Sequence, residues 1–423
     1  MEKNRVNELI ALEDKFGAHN YHPLPVVLAK GEGVFVWDVD GKKYFDFLSA
    51  YSAVNQGHCH PGITNALIDQ AQTLALTSRA FYNDCLGEYE KYVTNLFGFD
   101  KVLPMNTGAE AVETAIKLCR KWAYEKKGIE ENKAVIVVCE GNFHGRTTTI
   151  ISFSSDPDSN KNFGPYAPGF LAIPYDDIPA LEKALKLPNV VGFLVEPIQG
   201  EAGVYTPSDD YISNARNLCT ENGALFIADE VQTGIGRTGS LLGVCGNCNC
   251  EQKCERQKNT YSRPDILILG KALSGGVYPV SAVLADDEIM LVIKPGQHGS
   301  TFGGNPIAAK VAIAALEAVN NENLIQNARK LGAFFRSEMN RIISKSDLVL
   351  KVRGKGLLNA IVVNDSETGK TAWNLCLALK ENGLLAKPTH GNIIRFAPPL
   401  IITKEQITEC IEIIEKTLKS FKK

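Results

Sequence analysis

Lys271 follows an apolar stretch in the run Leu267-Ile268-Leu269-Gly270-Lys271-Ala272-Leu273-Ser274-Gly275-Gly276. Upstream, Ala224-Leu225-Phe226-Ile227-Ala228-Asp229-Glu230-Val231-Gln232-Thr233-Gly234 brings a second apolar stretch to an acid. A lysine and a carboxylate at the ends of two buried strands suit a pyridoxal phosphate site. The lysine amine can form a Schiff base with the cofactor aldehyde. The carboxylate can keep the pyridine nitrogen protonated, so that the ring accepts electrons. Either motif alone says little; the pair, in this order, is specific.

Four further runs carry residue types that such a site needs. Asn106-Thr107-Gly108-Ala109-Glu110-Ala111 follows the strand-like Lys101–Met105 and opens a helix. Gly108 admits close backbone approach, and free amides at a helix start favour a phosphate. A plain helix cap on Thr107 uses the same residues, and it is Asp229 with Lys271 that tips the reading towards phosphate. In Gly141-Asn142-Phe143-His144-Gly145-Arg146-Thr147, the aromatic can stack on a pyridine ring and Arg146 can grip a carboxylate. A core aromatic and a surface arginine are the plainer alternative. Val195-Glu196-Pro197-Ile198-Gln199-Gly200-Glu201-Ala202-Gly203 places two acids just past another strand. Buried acids need a cation, and Arg395 in Ile393-Ile394-Arg395-Phe396 is the candidate; a purely structural ion pair is the alternative. Ser300-Thr301-Phe302-Gly303-Gly304-Asn305-Pro306 either completes a phosphate cup with its hydroxyls or is a flexible connector.

The elements that must position these runs alternate along the chain. Strands are expected at Ala134–Cys139, Phe170–Ile173, Val190–Val195, Leu225–Asp229, Ile266–Leu269 and Ser281–Ala285, with helices between them at Ala109–Lys126 and Tyr211–Asn222. That alternation predicts an α/β fold with a largely parallel sheet covered on both faces. Val34–Phe47 reads as two short strands around an Asp-Gly turn. Beyond Asn305-Pro306, helices at Ala308–Val319, Leu324–Ile342, Thr371–Glu381 and Lys404–Phe421 mix with strands at Ala360–Val363 and Ile393–Phe396. A smaller α+β lobe follows. The expected division is 1–61, a segment joining the small lobe; 62–307, the large cofactor-binding domain; and 308–423, the small domain.

Length and charge narrow the function classes. A chain of 423 residues, 44% hydrophobic and 22% charged, exceeds the roughly 250–300 residues at which one core stops growing. A net charge of −3 offers no field for nucleic acid or an anionic membrane. No apolar run reaches the roughly 18 residues that span a bilayer. Met1–Glu8 mixes acids and bases without an apolar core, so the chain as given reads as cytoplasmic unless a presequence was removed.

Together these motifs resemble the fold-type I pyridoxal phosphate enzymes, specifically the class III (ω-) aminotransferases, and within them the ornithine-specific branch. The likeness runs from Gly17-Ala18-His19-Asn20-Tyr21 through Tyr51-Ser52-Ala53-Val54-Asn55-Gln56-Gly57-His58-Cys59-His60-Pro61 to Arg395-Phe396-Ala397-Pro398-Pro399. The two tyrosine-bearing runs single out ornithine. The resemblance implies that Lys271 is the Schiff-base lysine and proton shuttle, that Asp229 pairs with the pyridinium nitrogen, and that Gln232 bonds the ring oxygen. Phe143 and Val231 would flank the ring. Gly108 and Ala109 would give amides to the phosphate, joined by Ser300 and by Thr301 of the partner subunit, which implies a homodimer with shared sites. Tyr21 and Arg146 would hold the α-amino and α-carboxylate groups of L-ornithine, and Tyr51 would shape the pocket. Glu201 would mask Arg395 until 2-oxoglutarate arrives. The nearest rivals are action on N-acetylornithine or 4-aminobutyrate, then an aminomutase that needs no external oxoacid. A non-enzymatic scaffold is the most distant.

The resemblance does not explain one segment. Cys245, Cys248, Cys250 and Cys254 crowd the polar stretch 245–263, between Gln232 and Lys271. Four thiolates can hold zinc or form reversible disulfides, and an inert exposed loop is equally open. Transamination requires none of these. The other seven of the eleven cysteines, Cys119, Cys139 and Cys219 among them, are expected to be buried, reduced thiols.

Overall fold

The computed structural model describes residues 2–245 and 262–421. Three strands precede the main body: β1 (Leu28–Glu32), β2 (Phe35–Asp38) and β3 (Lys43–Asp46). Seven build the central sheet: β4 (Lys101–Met105), β5 (Val135–Cys139), β6 (Phe170–Ile173), β7 (Val190–Val195), β8 (Leu225–Asp229), β9 (Ile266–Leu269) and β10 (Ser281–Ala285). The last five are β11 (Val349–Lys355), β12 (Leu358–Val363), β13 (Leu384–Leu385), β14 (Lys387–Thr389) and β15 (Ile393–Phe396).

The central sheet runs β4-β10-β9-β8-β7-β5-β6. Its pairs β5/β6, β5/β7, β7/β8 and β8/β9 are parallel, and β10 alone is reversed, against β4 and β9. Its inner strands are apolar without alternation, as strands buried on both faces must be. Successive residues nevertheless serve opposite cores. Ile136, Val138, Leu194 and Ile227 pack under the helix Gly108–Glu125, whereas Val137, Cys139, Phe193 and Phe226 meet the helices Ile178–Leu185 and Tyr211–Glu221. Crossover helices on both faces leave the carboxyl ends of the parallel strands along one edge. The runs after β4, β5, β7, β8 and β9 all emerge there, which is where open α/β sheets bind ligands.

The small sheet, β11-β12-β15-β14, is antiparallel throughout. A third sheet, β1-β2-β3-β13, ties the N-terminal strands to Leu384–Leu385 through the parallel pair β3/β13. Arg237, completely buried, fastens these regions together. It donates to the Asn55 Oδ1 at 2.6 and 3.1 Å, the Leu357 carbonyl at 3.0 Å and the Pro398 carbonyl at 2.6 Å.

The expected elements are present, with ends displaced by one or two residues, as at helix Pro306–Asn321 and strand Leu358–Val363. The sequence reading did not include β1, β11, β13 and β14 or the helices Pro61–Thr73 and Leu86–Phe97. No helix among the described residues is long and apolar enough to cross a membrane.

Candidate active site

At the carboxyl edge of the sheet lies a cavity of about 170 Å³, bounded by residues from five of the emerging runs. Lys271 stands at its floor, two residues past β9, with φ +44°. A non-glycine residue in that left-handed region costs roughly 1–2 kcal/mol, so the surrounding structure holds the amine in place against its own backbone preference. Burial pushes the Lys271 amine below the usual lysine range, while the carboxylates of Glu201 and Asp229 oppose that shift.

Asp229 ends β8. Its Oδ2 lies 2.7 Å from His144 Nδ1, and its Oδ1 accepts the Val231 N–H at 3.0 Å. Burial alone would push the His144 imidazole down, but the hydrogen bond and charge of Asp229 raise it. His144 was given no role by the sequence. It follows β5, two strands away from Asp229 in the sheet, so only the strand order reveals the pair. The one available signal was its place beside Phe143.

The two acids after β7 separate. Glu201 reaches Arg395, as one would expect, at 2.7 and 3.3 Å, and also accepts Gln232 Nε2 at 2.9 Å. Burial by itself would raise the Glu201 carboxyl, but Arg395 overrides it and holds the group at about 2. Glu196 does not join Arg395. Its Oε1 accepts the Phe143 N–H at 2.8 Å, and burial pushes its carboxyl up to about 7. Gln232 also sits 3.4 Å from the Tyr51 carbonyl, while its buried Oε1 has no partner among the described residues. The amide must rotate to serve a ring oxygen.

Phosphate-binding geometry is present at the start of the helix Gly108–Glu125. Thr107 and Glu110 form a reciprocal capping box, so the cap reading is borne out, and a phosphate would use the same turn. Gly108 and Ala109 are first-turn residues, whose N–H groups have no intrahelical acceptor. A Cβ at Gly108 would stand 3.0 Å from Val231 Cγ1, so this turn closes tightly on the cavity wall. Ser300 Oγ accepts from Asn106 Nδ2 at 2.8 Å, just outside that wall, and Thr301 is exposed.

Tyr51 sits in a left-handed turn, Ser49–Ser52, with φ values of 50°, 46°, 60° and 73°. Asp46 Oδ1 secures its entry by accepting the Leu48 and Ser49 N–H groups at 2.8 and 2.9 Å. Burial, then Glu201, raises the Tyr51 hydroxyl, with Arg395 opposing from 4.9 Å above the ring. Arg146 lies on an adjoining cavity of about 430 Å³ that also touches Phe143 and Glu201, and it makes no ion pair among the described residues. Tyr21 is 72% exposed and lines neither cavity.

Cys245 is buried; Cys248, Cys250 and Cys254 lie outside the described residues. Six of the seven scattered cysteines are buried, but Cys59 is exposed, contrary to expectation, because it sits in a surface turn at φ +52°.

An enclosed amine, an acid two strands' reach from a histidine, a flat wall of Phe143 and Val231, and free helix-start amides fit pyridoxal phosphate. The unpartnered buried His144 Nε2 and Gln232 Oε1 are the polar atoms such a group would sit among.

Known proteins agree with this geometry. The pattern of "Aminotransferase class-III" matches residues 16–418. A Drosophila ananassae protein named ornithine aminotransferase, mitochondrial, is 62% identical over 412 residues, covering 97% of this chain and 91% of that one. Among solved structures, acetylornithine aminotransferase from Elizabethkingia anophelis is 61% identical with a TM-score of 0.88, covering 98% of this chain and 99% of that one. Ornithine aminotransferase from Toxoplasma gondii, with partial occupancy of PLP at its active site, is 46% identical with a TM-score of 0.93, covering 98% and 94%. Sheet order, site and relatives converge, and the chain belongs to the class-III aminotransferases.

Proposed function

We propose that the protein transfers the δ-amino group of L-ornithine to 2-oxoglutarate, giving L-glutamate 5-semialdehyde and L-glutamate, with pyridoxal phosphate as cofactor. The observation that carries this reading is the Glu201–Arg395 pair, whose acid lines the cavity that holds Lys271. One site must accept a diamine and then a dianion. With Arg395 covered, the α-carboxylate of ornithine turns to Arg146, which can take it bidentately, and the δ-amine is left facing Lys271. When the dicarboxylate arrives, Glu201 must release Arg395.

The bound cofactor supplies an electron sink. Lys271, its amine made less basic by burial, would take the proton from the δ-carbon and return it. Asp229, held 2.7 Å from His144, would pair with the pyridine nitrogen. Phe143 and Val231 bound a flat slot, and the amides of Gly108 and Ala109 receive a phosphate. Gln232 serves the ring oxygen after rotation. Tyr51 sets the pocket width, and Tyr21 must move inward to reach an α-amino group.

Thr301 lies outside the cavity in its own chain, and Phe81, Tyr82 and Phe302 are large exposed aromatics. Both features support a homodimer in which Thr301 of the partner subunit completes the phosphate site. A cytoplasmic location is part of the proposal, and cell fractionation would test it against the mitochondrial name of the Drosophila relative.

A second reading, N-acetylornithine as amine donor, is favoured by the name of the Elizabethkingia structure. A coupled assay with L-ornithine, N-acetylornithine and 4-aminobutyrate, each with and without 2-oxoglutarate, decides. Turnover confined to ornithine and dependent on 2-oxoglutarate is expected. Preference for N-acetylornithine would overturn the roles of Tyr21 and Tyr51, and turnover without an oxoacid would indicate an aminomutase.

A further inference from the structure

We propose that Lys387 is the counter-ion that receives the Glu201 carboxylate when Arg395 is given over to a dicarboxylate substrate. The inference rests on the exchange of amine donor for 2-oxoglutarate proposed above and adds where Glu201 goes.

The small sheet sets up the arrangement by register alone. Arg353 on β11 lies opposite Ala360 on β12, Ala360 opposite Arg395 on β15, and Arg395 opposite Lys387 on β14. Directly opposed residues of antiparallel strands project to one face, so this face carries three cations in a row with a single methyl among them. Arg353 is committed elsewhere: its Nε donates to the Gly203 carbonyl at 2.9 Å, and its guanidinium lies 3.7 Å over the Tyr205 ring. Arg395 holds Glu201. Lys387 is half-buried, and its side-chain amine has no ion pair or hydrogen bond among the described residues.

Like charges set directly opposite each other across two strands are unfavourable. Lys387 beside Arg395 is therefore costly unless one carboxylate serves both. Among the described residues, Glu201 is the acid that acts on Lys387: burial and then Arg395 push its amine down, and Glu201 opposes them. The Glu201 backbone is also pinned to the same strand, because Thr389 Oγ1, two residues beyond Lys387, donates to the Glu201 carbonyl at 2.8 Å. The proposed exchange is a side-chain rotation about that fixed point, from Arg395 to Lys387. Lys387 is thus a positioning residue, lowering the cost of uncovering Arg395.

The test uses the holoenzyme, Lys387→Met and Lys387→Arg, each also in a Glu201→Ala background. Glutarate, an unreactive dicarboxylate, is titrated by calorimetry, and the two half-reactions are followed separately by the absorbance of the bound cofactor. Lys387→Met should weaken glutarate by about tenfold, or about 1.4 kcal/mol, with the ornithine half-reaction changed by less than about twofold. Lys387→Arg should restore binding. In the Glu201→Ala background the effect of Lys387→Met should vanish, as expected of a residue acting only through Glu201. Unchanged glutarate affinity, equal loss in both half-reactions, or a tenfold loss that persists without Glu201 would each overturn the proposal. The ornithine half-reaction of the unaltered protein tests the underlying activity independently. Failure there would strike the choice of amine donor, while the glutarate comparison would still judge Lys387.

Discussion

Glu201 and Arg395 oppose each other at 2.7 Å with the guanidinium almost wholly buried, and the proposed function makes the selectivity of the site turn on that contact. Without the acid, Arg395 is open to any α-carboxylate, which would turn an α-amine towards Lys271. Glu201→Ala should therefore raise the rate with glutamate relative to ornithine by about tenfold or more, a barrier change of about 1.4 kcal/mol. Half-reaction rates with the two amino acids measure this, and an unchanged ratio would show that Glu201 does not control which amine reacts. Glu196 gives a second prediction. Burial raises its carboxyl to about 7, above its ordinary range, with His144 and the Phe143 N–H opposing. A raised folded-state value means that the stabilisation is complete below the usual glutamate range and is lost as pH rises through about 7. The melting temperature of Glu196→Gln, relative to the unaltered protein, should accordingly climb between pH 5 and pH 8. A constant difference across that window would mean that Glu196 does not titrate there.

Four consecutive residues at positive φ make Ser49–Ser52 the most strained element beside the cavity. Ser49 and Ser52 are buried there with hydroxyls lacking partners among the described residues, so the turn is held by its surroundings. Ala50 is exposed, and glycine tolerates its φ of +46° without a Cβ penalty. Ala50→Gly should therefore stabilise the protein by about 1 kcal/mol, the left-handed cost removed, while loosening Tyr51 and raising the KM for ornithine. Thermal melts and steady-state kinetics measure the two effects, and a destabilised variant would mean that the turn is unstrained. Nothing in Ser49-Ala50-Tyr51-Ser52 announces left-handed backbone, since none of these residues is glycine or asparagine. Strands differ in legibility for a similar reason. β7 and β9 are uninterrupted apolar runs and could be read directly. β11 carries Lys351, Arg353 and Lys355, and β14 is Lys387-Pro388-Thr389, so charge and proline disguise both. They are the two edges of the small sheet, where such residues are tolerated. The motifs around Gly108, Phe143, Glu201, Asp229 and Lys271 were legible because each follows a strand rich in apolar residues. The His144–Asp229 contact was not, because residues 85 positions apart meet only through strand order.

At the scale of the whole molecule, one chain supplies most of a site but leaves Thr301 exposed beyond the cavity, on the same loop as the half-exposed ring of Phe302. If each site borrows Thr301 of the partner subunit, defects in Lys271 and Thr301 fall on different sites when carried by different subunits. A mixed dimer of one Lys271→Ala chain and one Thr301→Ala chain would then contain one doubly damaged site and one intact site. Co-expressed and separated by distinct tags, such heterodimers should retain about half the tightly held cofactor of the unaltered protein after dialysis, and about half its activity. Both parental homodimers should fall well below that level, the first for want of a covalent anchor and the second for want of a phosphate ligand. A site built wholly within one chain predicts the opposite: every site in the mixture would carry one of the two defects, and no recovery would appear. The same preparation reads the assembly directly, since the two tags co-purify only if the chain associates with a second copy of itself.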